Sequence, residues 1–183
     1  MITPQSKTLN LRANLVRAAL AAAVVCGPGL AHADPAKDLQ VAGRALTFLE
    51  NGPTGRVVLG VVFDPAKPAS VAEKNAVMAA IGGGYAAGAV TLVGKPVEAD
   101  DVAGAAGVNA FFVTGGVNYG AVGGAAKARK IVTIGSAPAC VASGACVMGV
   151  TTDPKVEIVV NRSAAAAVGV AFKAAFRMMI KEI

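Results

Sequence analysis

The sequence has 183 residues, of which 55% are hydrophobic and 15% are charged, and its formal net charge is +6 at pH 7. Residues 1–33 have the pattern of a secretory signal peptide, with a basic start, an apolar run over 18–26 and a small-residue cleavage pattern at 31–33. Cleavage would remove three basic residues and leave residues 34–183, a domain of about 150 residues with a charge of +3, two cysteines and no histidine or tryptophan.

This composition excludes several kinds of chemistry. Without histidine in the mature chain, neither a Ser-His-Asp nor a Cys-His catalytic arrangement can form. The only adjacent acidic pair, Asp100 and Asp101, is interpreted as stabilising a helix N-terminus. The densest basic cluster, Lys127, Arg129 and Lys130, has no aromatic residue among its members, which argues against nucleic-acid binding. We therefore expect a protein that is not an enzyme and has no cofactor, metal or nucleic-acid partner.

The apolar stretches are too short to cross a membrane. A spanning helix needs about 20 apolar residues. The run at 18–26 is less than half of that and is followed by Gly27-Pro28-Gly29, and the stretches at 57–63 and 164–172 are no longer than that run. Lipid attachment at Cys26 is an alternative, but 31–33 offers the better cleavage site. The sequence thus predicts a periplasmic protein of a Gram-negative bacterium, with no membrane insertion after signal cleavage.

The first half of the mature sequence alternates between helix and strand patterns. Apolar residues at positions 39, 42, 46 and 49 predict one face of a helix that opens at Asp34-Pro35. A β-branched run at 56–63 is typical of a strand covered on both faces. A helix over 70–81 follows, in which Ser70 and Glu73 have the spacing of a capping box.

The alternation continues through the second half. The sequence predicts strands at 89–93, 108–113 and 130–134, and helices at 99–106 and 118–128. Successive crossovers predict a single three-layer α/β domain with a doubly wound, mostly parallel sheet. Two strands at 147–151 and 155–161 are separated by only three residues, which predicts an antiparallel hairpin at one edge. Asn161 is expected to cap a final helix over 163–183 rather than to act as a glycosylation acceptor.

The two remaining cysteines are close in sequence. Cys140 and Cys146 flank a short loop, and in an oxidising compartment they most simply form one local disulfide. Such a loop would contribute about 2 to 2.5 kcal/mol. Redox or metal-binding roles are the alternatives, but the spacing differs from Cys-x-x-Cys and no histidine can complete a zinc site.

A candidate ligand pocket lies where the strands end. In a sheet of this kind ligands bind beyond the carboxyl ends of the strands, and backbone amides that open a helix there can meet an anion. The glycine segments lack both the dinucleotide-binding order and the Walker A spacing. The candidate pocket residues are Asp64, Gly115, Gly116, Asn118 and Ser136.

The C-terminal half resembles the YfiR-like family of bacterial periplasmic proteins. The resemblance is carried by the strand at 131–135, the loop with both cysteines, the strand at 156–161 and the alanine-rich segment through 176–179. It extends over 57–183 and implies a periplasmic α/β domain in which Cys140 and Cys146 form a stabilising disulfide. Asn109 stands near the position where a second cysteine pair of the family's regulators would have one member, so a redox switch on that pair does not carry over.

The resemblance also implies a function through protein contact. Better-known members hold an inner-membrane diguanylate cyclase inactive, which controls cyclic-di-GMP and biofilm formation. We expect a regulator that binds another envelope protein; the rival is a periplasmic protein that binds a small molecule or anion at the strand ends. The predicted final helix places four apolar residues on one face, which would bind a partner or form a homodimer: Phe172, Phe176, Met179 and Ile183.

Overall fold

A computed structural model describes residues 34–183; the predicted signal peptide lies outside the described residues. The described elements are α1 (Pro35–Thr47), β1 (Gly55–Phe63), α2 (Pro68–Ile81), β2 (Tyr85–Ala87), β3 (Val90–Glu98), β4 (Ala110–Val113), α3 (Tyr119–Arg129), β5 (Val132–Gly135), α4 (Pro138–Ala142), β6 (Met148–Thr151), β7 (Glu157–Val160), α5 (Arg162–Val168), α6 (Ala174–Arg177) and β8 (Lys181–Glu182). One turn of 3-10 helix, Ala99–Asp101, follows β3.

The strands form one sheet in the order β2-β3-β1-β4-β5-β6-β7-β8. Its five parallel strands are β3, β1, β4, β5 and β6, with β1 paired to β3 on one side and to β4 on the other. The chain therefore passes from β1 to β3 on one side and then returns to place β4, β5 and β6 on the other side of β1. This doubly wound, mostly parallel arrangement confirms the predicted fold class, and it places the topological switch point between β1 and β4.

Helices cover both faces of the sheet, which makes three layers. One apolar core lies under α1, α2 and α5, and includes Val57, Leu59 and Val61 of β1. The other lies under α3, α4 and residues 102–108, and includes Val62 of the same strand. Because β1 is buried on both faces, it has the continuous β-branched sequence typical of a central parallel strand.

Two local predictions in the first half are wrong. Ser70 does not cap α2, because the helix begins at Pro68, whose missing N–H makes it suited to a first turn. The predicted helix at 99–106 is only the 3-10 turn Ala99–Asp101. Beyond it the guanidinium of Arg129 donates to the carbonyl oxygens of Val102 and Ala105 at 2.6 and 2.5 Å, and these bonds hold the segment in an irregular path.

The predicted final helix is also wrong. The helix α5 ends at Gly169, which adopts φ of +74°, a conformation that favours glycine. The chain then forms a bridge between Phe172 and Leu49, the four-residue α6 and the short strand β8. Phe172 and Phe176 are buried and stack with each other at 5.3 Å between ring centroids. The expected four-residue helical face is therefore not formed.

Two further predictions concern the same region. Strands β6 and β7 are antiparallel, as predicted, but β8 pairs outside β7, so the hairpin is not the outermost part of the sheet. The Asn161 side chain accepts a hydrogen bond from the N–H of Ala164 at 2.9 Å. Asn161 is thus the N-cap of α5, as expected from its position.

Candidate ligand-binding site

The switch point brings four of the five predicted pocket residues to the same edge of the sheet. Asp64 follows β1, Gly115 and Gly116 follow β4, and Ser136 follows β5. The fifth, Asn118, has another role, because its side chain accepts from the N–H of Ala121 at 3.2 Å and caps α3. The parallel topology thus brings these polar strand ends to one edge of the sheet.

Glu73 of α2 links two of these strand ends. Its Oε2 accepts from the N–H of Gly115 at 2.8 Å, and its Oε1 accepts from the hydroxyl of Ser136 at 2.5 Å. The amide that was expected to meet an external anion is thus bonded to a carboxylate of the protein itself. The spacing of Glu73 suggested only a helix cap, since its partners lie 42 and 63 residues away in sequence.

Beside Glu73, a buried pair of hydroxyls joins β1 to β4. Thr114 Oγ1 donates to the carbonyl oxygen of Val62 at 2.9 Å and lies 2.6 Å from Ser70 Oγ. Ser70 Oγ in turn accepts from the N–H of Asp64 at 3.0 Å. Because the Thr114 hydroxyl donates its only proton to Val62, it must accept in the bond with Ser70. Ser70 is therefore the donor of that bond. These bonds fix the loop after β1.

Lys67 closes the other side of this network. Its ammonium lies 3.5 Å from Oδ2 of Asp64 and donates a hydrogen bond to the carbonyl oxygen of Gly116. Lys67, Ser70 and Glu73 all belong to the start of α2, and none was among the predicted pocket residues. The polar groups at the switch point therefore mainly satisfy one another, and they form a rigid wall rather than an open pocket.

One carboxyl group on this side of the sheet is buried. Asp38 of α1 is 3% exposed, and its Oδ1 lies 2.7 Å from the hydroxyl of Thr152 at the end of β6. Desolvation by burial raises the pKa of Asp38 above its ordinary value of 3.8, the hydrogen bond from Thr152 opposes this, and the negative charges of Asp34 and Glu73 add to the rise. The bond to Thr152 joins α1 to the end of β6, so Asp38 supports the fold.

A cavity lies at the carboxyl ends of β1 and β3, on the side of β1 away from β4. Its volume is about 550 Å³, within the usual range for small-molecule sites. Strand β2 pairs only with residues 90–92 of β3, so the rest of this edge of β3 has no strand beside it. The cavity is lined by Phe63, Lys95, Pro96, Val97, Glu98, Asp101 and residues 104–106. None of the five predicted pocket residues is among them.

A smaller cavity lies between α4 and the strands β6 to β8. Its volume is about 290 Å³, and of the predicted pocket residues only Ser136 contributes to its lining. It exists because α4 has only five residues and leaves part of this sheet face uncovered.

The disulfide between Cys140 and Cys146 is formed and is fully buried. It packs against β5 so closely that a Cβ added at Gly135 would lie 2.8 Å from the sulfur of Cys146. The disulfide thus holds the loop that carries α4 onto the sheet.

Across residues 34–183 no group of three or more His, Cys, Asp or Glu side chains could hold a metal ion.

Comparison with known proteins supports the fold but not a family. No family model and no curated protein matches the sequence. The structure is similar to a conserved domain protein from Vibrio cholerae, with 15% identity and a TM-score of 0.57 over 82% of this chain and 60% of that one. At such low identity the similarity shows a shared fold only.

Two other similar structures are binding proteins by their descriptions. One is an ABC domain in complex with L-Trp from Streptococcus pneumoniae, with 12% identity and a TM-score of 0.59 over 82% of this chain and 60% of that one. The other is a ligand-free, open substrate-binding protein with adhesive properties from Clostridium difficile, with 13% identity and a TM-score of 0.57 over 80% and 58%. The chain thus spans about 60% of the length of these proteins.

Proposed function

We propose that this protein is a periplasmic binding protein, not an enzyme, and that it holds a small molecule at the carboxyl edge of its sheet. The observation that carries this proposal is the cavity of about 550 Å³ at the ends of β1 and β3. Open α/β sheets bind ligands outside the carboxyl ends of their strands, next to the switch point. Here the cavity lies at the carboxyl ends of β1 and β3, and β1 is one of the two strands that border the switch point.

The comparisons agree with this proposal at the level of fold. Two of the similar structures are described as binding L-Trp or as a substrate-binding protein. The predicted signal peptide and the disulfide are compatible with the periplasm, since disulfides persist in oxidising compartments. None of the helices within residues 34–183 is both long and apolar enough to span a bilayer.

A thermal-shift screen tests the proposal. The mature protein is heated with a panel of amino acids, amines, organic acids, sugars and inorganic anions. A ligand at 100 times its dissociation constant adds about 2.7 kcal/mol to the stability, which is easily measured as a rise in Tm. The absence of any shift across the panel would argue against a small-molecule function.

A blocking variant then locates the site. Gly104 lines the cavity, and a Cβ added there would meet nothing closer than 3.8 Å, so Gly104→Trp can add bulk without a backbone clash. Gly124→Trp is the matched control, because Gly124 is an exposed residue of α3 with open space around it. Ligand binding should be lost in Gly104→Trp and kept in Gly124→Trp.

A second candidate function is regulation through protein contact, as the resemblance to YfiR-like proteins implies. It is favoured by three exposed apolar side chains near the C-terminus, Met178 (84% exposed), Met179 (65%) and Ile183 (45%). Exposed apolar patches mark interaction surfaces, and Met178 and Met179 are neighbours in the sequence. A partner would be an envelope protein, such as the periplasmic part of a membrane diguanylate cyclase, or a second copy of this chain.

Crosslinking in intact cells tests this second function. Wild-type protein should form a crosslink to a membrane protein or to itself, and the double variant Met178→Ser and Met179→Ser should lose it. The same variant should keep its Tm, because both side chains are exposed. A crosslink that is unchanged in the variant would show that these side chains do not form the contact.

A further inference from the structure

We propose that the cavity at the ends of β1 and β3 takes a ligand with a primary ammonium group, and that the carboxylates of Glu98 and Asp101 hold that group. This inference rests on the proposed binding function and adds the chemical class of the ligand. The ammonium can belong to a simple amine or to an amino acid, and the experiment below distinguishes these two sources.

The first argument is the state of the charged groups that line the cavity. Glu98 ends β3 and Asp101 ends the 3-10 turn, and neither carboxylate has a cationic nitrogen within 4.0 Å among residues 34–183. The single lysine of the lining, Lys95, already donates to the carbonyl oxygen of Ala106 at 2.8 Å. All three side chains are exposed. The lining therefore carries two exposed carboxylates against one exposed lysine, a balance that favours a cationic group over an anionic one.

The second argument is the aromatic wall. The Phe63 ring lines the cavity, and the ammonium of Lys74 lies 4.8 Å from its centroid. The protein thus already places an ammonium group over this ring, at a distance typical of a cation–π contact. A ligand alkyl chain can pack against the remaining edge of Phe63 and against Val97, while its ammonium faces the two carboxylates.

The third argument concerns the opposite charge. The backbone amide that the sequence predicted for an anion, that of Gly115, is bonded to Glu73. Within the cavity lining only Lys95 offers a positive charge, and its ammonium has N–H groups left after the bond to Ala106. A lone carboxylate would therefore meet more repulsion than attraction here. An α-amino acid could use Lys95 for its carboxylate, but only with its ammonium on Glu98 or Asp101.

Isothermal titration calorimetry tests the inference with named probes. The probes are the twenty amino acids and the amines butylamine and putrescine, each tested beside the form in which every amino group is acetylated, with butyrate as an anionic control. At least one ammonium compound should bind, and N-acetylation should weaken its binding by at least about tenfold, the effect of losing one charge-assisted hydrogen bond. Binding by an amine alone identifies a simple cation; binding by amino acids alone identifies a zwitterion.

Variants assign the two carboxylates. Asp101→Asn and Glu98→Gln should each weaken binding by about tenfold. Asp100→Asn is the matched control, because Asp100 is exposed in the same turn, as Asp101 is, but does not line the cavity. Its dissociation constant should stay within about twofold of wild type, the scatter expected for a lost surface charge.

Four results would overturn the inference. If N-acetylated compounds or butyrate bind as well as the amines and this binding is lost in Gly104→Trp, the ligand class is wrong and the binding function stands. If ammonium compounds bind equally well to Gly104→Trp, the ammonium site lies elsewhere. If none of these probes binds but another compound of the wider panel does, the ligand class is again wrong. If no compound of either panel binds, the proposed binding function itself is wrong.

Discussion

Removing the Glu73 side chain should loosen the switch point. In Glu73→Ala the N–H of Gly115 and the hydroxyl of Ser136 lose their shared carboxylate. Hydrogen bonds to charged groups contribute about 1.5–3 kcal/mol each, and partial exposure reduces this because water can replace the lost partner. We therefore expect a total loss of about 2 kcal/mol, or about 4–8 °C in Tm for a chain of this size.

Urea unfolding measures this loss, with Asn75→Ala as the control on the same helix. Asn75 is exposed and makes no side-chain hydrogen bond among those in residues 34–183, so its variant should differ from wild type by less than about 0.5 kcal/mol. In a double-mutant cycle, Glu73→Ala and Ser136→Ala should show a coupling energy of about 1 kcal/mol. A loss below about 0.5 kcal/mol for Glu73→Ala, or additive effects in the cycle, would refute the proposed link between the strand ends.

Three further predictions concern the fold. Replacing both Cys140 and Cys146 by alanine should lower the free energy of unfolding by about 2 kcal/mol in oxidising buffer. When urea unfolding is run with reductant, the free energies of unfolding of wild type and variant should become equal. A difference that persists with reductant would mean that the stabilisation comes from packing. Burial raises the pKa of Asp38, so the stability contributed by its protonated form is complete below the ordinary pKa of 3.8 and is lost as the pH rises through the folded pKa. The free energy of unfolding of Asp38→Asn should therefore rise relative to that of wild type from pH 4 to 7 in a pH series of urea melts. Parallel curves for the two proteins would contradict this. Gly169→Ala should lower stability by about 1 kcal/mol because Gly169 has φ of +74°, and an unchanged Tm would show that α5 can end otherwise.

Much of the sheet could be predicted because its strands are buried on both faces. Such strands are continuous apolar runs, as at 56–63 and 108–113, and their alternation with helices implies parallel crossovers. The topology alone predicts which residues meet at one edge, since parallel strands bring their carboxyl ends together, but it does not predict the lining of the cavity, which contains none of the predicted pocket residues. Asp64, Gly115, Gly116 and Ser136 are at that edge for this reason.

The details of the site could not be predicted because they depend on contacts between distant residues. Glu73 bonds to Gly115 and Ser136 across the sheet, and no local pattern marks such a partner. The cavity is lined by residues of the irregular segment after β3, whose path depends on Arg129 of α3.

The C-terminal segment shows the same difficulty. Its alanines and methionines favour a helix by propensity, yet the chain leaves the helix at Gly169 and pairs Phe172 with Leu49. Phe176 then stacks on Phe48 at 4.9 Å between centroids. Burial of these rings against α1 outweighs the helical preference, and that outcome is a tertiary effect that no short sequence window contains.

The most direct test of the binding function is a calorimetric titration of the best compound from the screen into three proteins. Wild type and Gly124→Trp should bind it with the same dissociation constant, and Gly104→Trp should show no heat of binding. Equal binding to all three proteins would contradict the placement of the site in the cavity at the ends of β1 and β3.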